Sequence, residues 1–352
     1  MLSNEIILTG DRQTGQLHLG HYCGSLLNRV RLQEQYLQYV LIADTQALTD
    51  NIGNIQKVRS NIFEVALDYL AVGIDPEKSH IVLQSELPAL FELAMLYMNF
   101  VSIAQLQHNP TIRHEIELRG FGDSIPAGFM CYPIAQAADI TAFKATLIPV
   151  GDDQLPMIEQ SNTIVKKVNA AAKRQVLPFS KAILSDTPRL MGVDGSAKMS
   201  KSVGNAIPLS SNEKDIRRYV HSMYTDNQHL RVEDCGQVEG NVVFSYLDVF
   251  DTNKQELEDL KDHYRCGGLG DSKLKKRLGD LLCSVIIPIS DKRLELQKHP
   301  DDVMDILRKG SLVGREVTAQ TLDEIKLALG LKTDMFRKAV AYGTPNRNCG
   351  RL

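Results

Sequence analysis

Two rhythms of apolar and polar positions alternate along the first half of the chain. Short unbroken apolar runs, "EIILTG" at 5–10, "YVLIAD" at 39–44 and "HIVLQS" at 80–85, read as buried strands. Between them lie stretches with apolar residues at helical spacing: "YCGSLLNRVRLQEQY" at 22–36, and a second carrying Val58, Ile62, Val65, Ala66 and Tyr69 that stops at Gly73 with Pro76 beyond. Strands alternating with helices predict an α/β fold with a doubly wound parallel sheet. An apolar helix is predicted over 88–107, broken at "HNPT" and followed by the loop "RGFGDSIPAG". Helix resumes in "FMCYPIAQAADITAF", a last strand follows in "TLIPVG", and another helix opens at "DDQLPMIEQ". After the glycine-rich stretch "GVDGSAKMSKSVGN" the pattern is helical almost throughout, beginning with a capping box of Ser210 and Glu213.

The predicted organisation is an α/β domain over 1–205, with a helical insertion at about 88–127, and a C-terminal all-α domain over 206–335. Residues 336–352 lack periodicity and are expected to form a mobile tail. Length agrees with two domains, because 352 residues exceed what one hydrophobic core holds. No stretch has the order of a signal peptide or the apolar length of a membrane span, so a cytoplasmic location is expected. The six cysteines (Cys23, Cys131, Cys235, Cys266, Cys283 and Cys349) are scattered, and free thiols are expected. Net charge is -3 and neither half is basic, so any nucleic-acid surface must be local. The chain contains no tryptophan.

The strand-to-helix switch at 10–21 concentrates glycine and histidine. "GDRQTG" begins like a phosphate-binding loop, but Gln16 stands where that motif requires lysine and Leu17 where it requires serine or threonine. No GxGxxG occurs, and His18 with His21 has no third metal ligand close in sequence. A nucleotide site remains. Gly10 and Gly15 allow a tight turn, and Gly20 removes a side chain where a base or ribose could approach. At a helix N-terminus the imidazoles face a region that favours phosphate.

"HLGH" at 18–21 resembles the HIGH signature of class I aminoacyl-tRNA synthetases, and "KMSKS" at 198–202 is identical to their second signature. "TGDRQTGQLHLGHYCGSL", "YPIAQAADI", "IPVGDDQ" and "AKMSKS" together resemble the tryptophanyl branch, in a divergent bacterial form. That resemblance implies a Rossmann-like catalytic sheet and a helical domain that reads the tRNA anticodon. It also implies ATP-dependent activation of L-tryptophan to tryptophanyl-adenylate, then transfer to tRNA(Trp), with Mg2+ carried on the ATP phosphates. Catalysis would consist of holding reactants in line and stabilising growing negative charge.

The same resemblance implies residue roles. His18 and His21 meet the α-phosphate, and Lys198 and Lys201 neutralise pyrophosphate. Arg12, Gln13, Thr14, Gly20, Gly151, Asp152, Asp153, Leu190, Met199, Ser200 and Ser202 complete the ATP site. Tyr132 and Gln154 hold the ammonium and carboxylate of the amino acid, and Asp139 accepts the indole N–H, with Gln136 one helical turn away. The sequence departs from the family's common methionine at Gln136 and proline at Gln13. Lys273, Lys275, Lys276, Arg277, Arg217 and Arg218 are expected to supply phosphate contacts in part. A two-fold homodimer through the 88–107 helix is expected. Tyrosyl specificity and a catalytically idle, RNA-binding or regulatory paralogue are the competing readings.

Overall fold

The computed structural model describes residues 4–13, 15–122, 124–184, 190–196, 199 and 203–331, with the backbone alone at residue 50. Strands β1 (Ile6–Asp11), β2 (Leu37–Ile42), β3 (Ser79–Leu83), β4 (Leu147–Val150) and β5 (Lys181–Leu184) form one parallel sheet in the order β3-β2-β1-β4-β5. Helix α1 (Leu19–His21) runs through a π turn at Tyr22–Leu26 into α2 (Leu27–Leu32), and α3 (Asp44–Asn51) and α4 (Ile55–Val72) complete the first half of the winding. The insertion carries α5 (Pro88–Tyr97), α6 (Ile103–Gln107) and α7 (Pro110–Arg119), and α8 (Ala127–Ala142) and α9 (Leu155–Ala172) flank β4. Helices α10 (Glu213–His221), α11 (Val242–Phe250), α12 (Lys254–Cys266), α13 (Asp271–Gln297) and α14 (Pro300–Ala328) form the C-terminal part.

The doubly wound sheet is the predicted one. Winding reverses between β1 and β4, and a crevice must open there at the carboxyl ends of the strands, where the flanking helices diverge to opposite faces.

Three local expectations are corrected. Strand β5 was not anticipated: its two end residues are exposed and its middle pair only half-buried, and its apolar run is just the three residues Ala182–Leu184. The 88–107 helix is two helices, separated by a single turn at Met98–Phe100 and extended Val101. Its restart is a capping box, in which Ser102 Oγ accepts the Gln105 N–H and Gln105 Oε1 accepts the Ser102 N–H, each at 3.2 Å. Finally, α10 is capped by Asn212, which accepts the Asp215 N–H at 2.9 Å, and not by Ser210. The Ser210 hydroxyl instead donates to Gln16 Oε1 at 2.9 Å.

Past the expected boundary at 205–206, helices α13 and α14 turn back onto the sheet. Ile289, Val303 and Leu307 are buried with Val40, Ile42 and Val65 on one face, and Leu322 and Ile325 with Val82 and Phe143 on the other. Helix α14 also covers the open edge of β3, where Ser311 Oγ accepts the otherwise unpaired Leu83 N–H at 2.9 Å. The approach requires glycine, since a Cβ at Gly310 would lie 2.1 Å from the Ile81 carbonyl oxygen. Gly310→Ala is therefore expected to destabilise the protein by about 3 kcal/mol in urea unfolding, because the obstructing atom is backbone and cannot rotate away. The expected tail at 336–352 lies outside the described residues.

Candidate active site

A cavity of about 440 Å³ occupies the crevice between β1 and β4. Its walls include Gly10, Asp11 and Arg12 at the end of β1, His21, then Tyr132, Gln136 and Asp139 on α8, and Gly151, Asp153 and Gln154 after β4. Eight sequence-nominated residues thus converge: Arg12, His21, Tyr132, Gln136, Asp139, Gly151, Asp153 and Gln154. His18 and Gln13 are buried outside its lining, and Gly20, Asp152, Leu190 and Met199 also stand outside it. Thr14, Lys198, Ser200, Lys201 and Ser202 lie outside the described residues.

The two histidines cap the helix they begin. His18 Nδ1 accepts the Gly20 N–H at 3.2 Å, and His21 Nδ1 accepts the His18 N–H at 3.3 Å. An imidazole whose Nδ1 accepts must, when neutral, carry its proton on Nε2, so both rings present Nε2–H donors. Their centroids are 3.9 Å apart.

The chain after the second signature returns to the first. Leu19 N–H donates to the Ile207 carbonyl at 2.9 Å and Leu209 N–H to the Leu17 carbonyl at 3.1 Å, an antiparallel bridge centred on His18 and Pro208. Met199 packs from the other side: a Cβ at Gly20 would stand 3.0 Å from its sulfur and 3.1 Å from the His18 ring. The space predicted to admit a base or ribose at Gly20 is filled by these two side chains. Asp194 Oδ1 accepts Asn205 Nδ2 at 3.0 Å and the Ser196 hydroxyl at 2.8 Å, pinning together the two limbs that carry residues 197–202. Stretches 190 residues apart in sequence, at His18 and Pro208, are thereby joined beside the turn of the first signature.

Asp139 is the polar centre of the cavity's inner wall. It is 4 % exposed, and both carboxylate oxygens accept from Gln84 Nε2 at 2.9 Å while Oδ2 also accepts from Gln46 Nε2 at 2.6 Å. Gln84 is itself oriented, because its Oε1 accepts the Thr45 hydroxyl and the Gln46 N–H. Burial pushes the Asp139 carboxyl up to about 7, outweighing the amide donors, which act to lower it. Gln46 and Gln84 were missed by sequence reasoning. The available signal was position, since a polar residue directly beyond a buried parallel strand, as in "HIVLQS", stands at the ligand-binding edge of the sheet.

The opposite wall holds a second cluster that was also missed. Arg29, 2 % exposed, meets Asp11 through two bonds of 2.6 and 3.2 Å, and the Tyr69 hydroxyl donates to Asp11 Oδ2 at 2.6 Å. Burial would raise the Asp11 carboxyl, but the Arg29 charge and hydrogen bond, with smaller help from His21 and Tyr69, hold it down at about 2. Asp11 therefore stays ionised at neutral pH and fixes the end of β1, from which Arg12 enters the cavity.

The expected RNA-facing set divides. Lys275 donates to the His221 and Met223 carbonyls, Arg277 pairs with Asp251 and Glu256, Arg217 with Glu213 and Asp280, and Arg218 with Asp215. Lys273 and Lys276 are exposed.

Residues 3–284 match the family model for tRNA synthetases class I (W and Y), which sets the class. The chain is 53 % identical over 335 residues to the tryptophan–tRNA ligase of Clostridium longisporum, covering 94 % of this chain and 98 % of that one. Identity to the tryptophan–tRNA ligase of Streptococcus mutans is 52 % over 337 residues, covering 94 % and 99 % of the two chains. The solved tryptophanyl-tRNA synthetase from Campylobacter jejuni, complexed with ADP and tryptophan, superposes with a TM-score of 0.81 at 29 % identity, over 93 % of this chain and all of that one. The chain belongs to the class I tRNA synthetases of the W and Y group and, within it, to the family of tryptophan–tRNA ligases.

Proposed function

We propose that this protein uses ATP to activate L-tryptophan as tryptophanyl-adenylate and transfers the acyl group to tRNA(Trp). The observation that carries the reading is a buried acceptor, Asp139, in a crevice whose mouth is built from the turn of the first signature. Indole offers one N–H and no acceptor, so an enclosed carboxylate with acceptor capacity beyond the bonds from Gln46 and Gln84 favours it over phenylalanine, which brings no donor. Tyr132 and Gln154 hold the ammonium and carboxylate of the amino acid, and Gln136 borders its ring.

Activation needs no protein nucleophile. The amino-acid carboxylate attacks the α-phosphate of ATP and expels pyrophosphate, and the chain's part is alignment and charge stabilisation. In this proposal the Nε2–H donors of His18 and His21 serve the α-phosphate, and Lys198 and Lys201 the pyrophosphate. Arg12 and Thr14 are assigned to the ATP-facing turn, whereas Gln13 is buried and Gly20 is closed off by His18 and Met199. Gly151, Asp152 and Asp153 meet the ribose, Leu190 lies towards the adenine, and Met199, Ser200 and Ser202 complete the second signature. Mg2+ would ride on the ATP phosphates, keeping much of its water, and would add positive charge there.

The helical part from 206 onward is assigned to the anticodon, with exposed Lys273 and Lys276 as phosphate contacts. A tRNA-charging enzyme works beside ribosomes, which places it in the cytoplasm; no helix among the described residues is long and apolar enough to cross a membrane. A homodimer is proposed through the insertion, where Phe91, Met95 and Met98 share one exposed face of α5 and its following turn, and Ile103 and Leu118 are also exposed. Met95→Glu combined with Phe91→Glu is expected to halve the sedimenting mass in analytical ultracentrifugation.

The activity is tested by exchange of labelled pyrophosphate into ATP with tryptophan or tyrosine as the added amino acid. Exchange with tryptophan alone is expected. Exchange with tyrosine alone would replace the reading with tyrosyl specificity, and exchange with neither would leave an idle paralogue.

A further inference from the structure

A buried ionic network outside the cavity joins α13 to the turn that precedes His18. Arg293 is 4 % exposed; its Nε donates to Asp68 Oδ1 at 2.8 Å and its Nη2 pairs with Glu64. Asp68 is fully buried, and its other oxygen accepts the Leu17 N–H at 2.6 Å. Glu64 Oε2 accepts Gln16 Nε2 at 2.8 Å, and Gln16 Oε1 accepts the Ser210 hydroxyl at 2.9 Å. Both residues before the first signature are therefore held by carboxylates that share one guanidinium.

A buried ion group of this kind contributes little net stability compared with apolar packing of the same volume, so its retention asks for another reason. Geometry supplies one. Leu17 is the residue directly before the helix cap, and a shift of its N–H turns the His18 backbone. That backbone N–H is the one bonded to His21 Nδ1 at 3.3 Å, so both imidazoles move with it. Removing the cation leaves Asp68 and Glu64 as neighbouring carboxylates one turn apart on α4, the one bonded to the Leu17 N–H and the other to the Gln16 amide.

We propose that Arg293 is a positioning residue for amino-acid activation: acting through Asp68 and Glu64, it fixes Gln16 and Leu17 and thereby the placement of His18 and His21. This rests on the function proposed above. Its consequence is that a helix remote in sequence sets the geometry of the first signature without touching either substrate.

The test uses the full chain. Arg293→Met and Asp68→Ala are each expected to lower kcat for tryptophan-dependent pyrophosphate exchange by about 100-fold, the scale of a small misplacement transmitted to reacting groups. KM for tryptophan is expected to hold, as is tryptophan affinity read from ligand fluorescence. The double variant is expected to be no slower than the slower single one, because both act on the Leu17 N–H. Arg293→Lys keeps the charge but reaches one carboxylate, and an intermediate kcat is expected; if Arg293→Met does not fold, Arg293→Lys paired with Asp68→Asn carries the same comparison. Wild-type kcat in either single variant, multiplied losses in the double, or tryptophan affinity falling in step with kcat would overturn the proposal. Absence of exchange in the unaltered protein would overturn the activity itself, and this inference with it, an outcome distinct from a slowed variant.

Discussion

His18→Asn is expected to slow tryptophan activation by about 10²- to 10³-fold while leaving unfolding stability almost unchanged. The imidazole has two separable duties. Its Nδ1 caps the helix by accepting the Gly20 N–H, and its Nε2–H is the donor assigned to phosphate. Asparagine is among the best N-cap residues, and its amide oxygen can take over the Nδ1 position, but its side chain ends short of Nε2. His18→Gln does the reverse: its terminal amide reaches the Nε2 position and fits the cap poorly. That variant is expected to recover much of the rate and to lose about 1 kcal/mol of stability. Pyrophosphate exchange and urea unfolding on the two variants separate the duties, and an asparagine variant as fast as the unaltered protein would remove His18 from the chemistry.

The fold was legible where one physical signal dominated. Unbroken apolar runs marked β1, β2 and β3, because parallel strands are buried on both faces, and Gly73 ended α4 in the left-handed conformation expected of a C-cap, at φ 108°. Strand β5 was illegible because its neighbours leave it half-exposed and too short for alternation to register. The break before Ser102 was hidden by apolar residues on both sides, which serve an exposed face as well as a core. Ser210 misled through local rules: its spacing to Glu213 is that of a capping box, but the hydroxyl is drawn to Gln16, 194 residues away in sequence.

The site divides in the same way. Both signatures were legible through their resemblance to those of class I synthetases, while residue types and spacing alone pointed only to a nucleotide site at 10–21. The groups that tune them, Gln46 and Gln84 around Asp139 and Arg29 and Tyr69 around Asp11, are brought in by tertiary packing from 18 to 93 positions away and have no pattern of their own. The pairing of Leu17–Leu19 with Ile207–Leu209 likewise depends on a long crossover that no local rule specifies.

Asp139→Asn is expected to weaken tryptophan binding by about 10- to 100-fold, the worth of a hydrogen bond to a charged group, and at the same time to stabilise the free protein above neutral pH. An unhindered aspartate titrates near 3.8, whereas burial raises this one to about 7 in the folded protein. Between those two values the native state binds more protons than the unfolded chain, so stability falls as pH rises through the window. The full cost, roughly 4 kcal/mol at most for a shift of this size, is reached just above pH 7. Asparagine has no charge to bury, so the variant's stability should lose that slope. Function runs the other way. The ionised carboxylate is the stronger acceptor for an indole N–H, so tryptophan affinity is expected to rise with pH through about 7 in the unaltered protein and to stay flat in the variant. Because the chain contains no tryptophan, fluorescence excited at indole wavelengths reports the ligand alone and gives this profile directly. An affinity indifferent to pH between about 6 and 8 in the unaltered protein, or an asparagine variant that binds tryptophan as tightly, would remove Asp139 from indole recognition and leave its burial as a matter of packing.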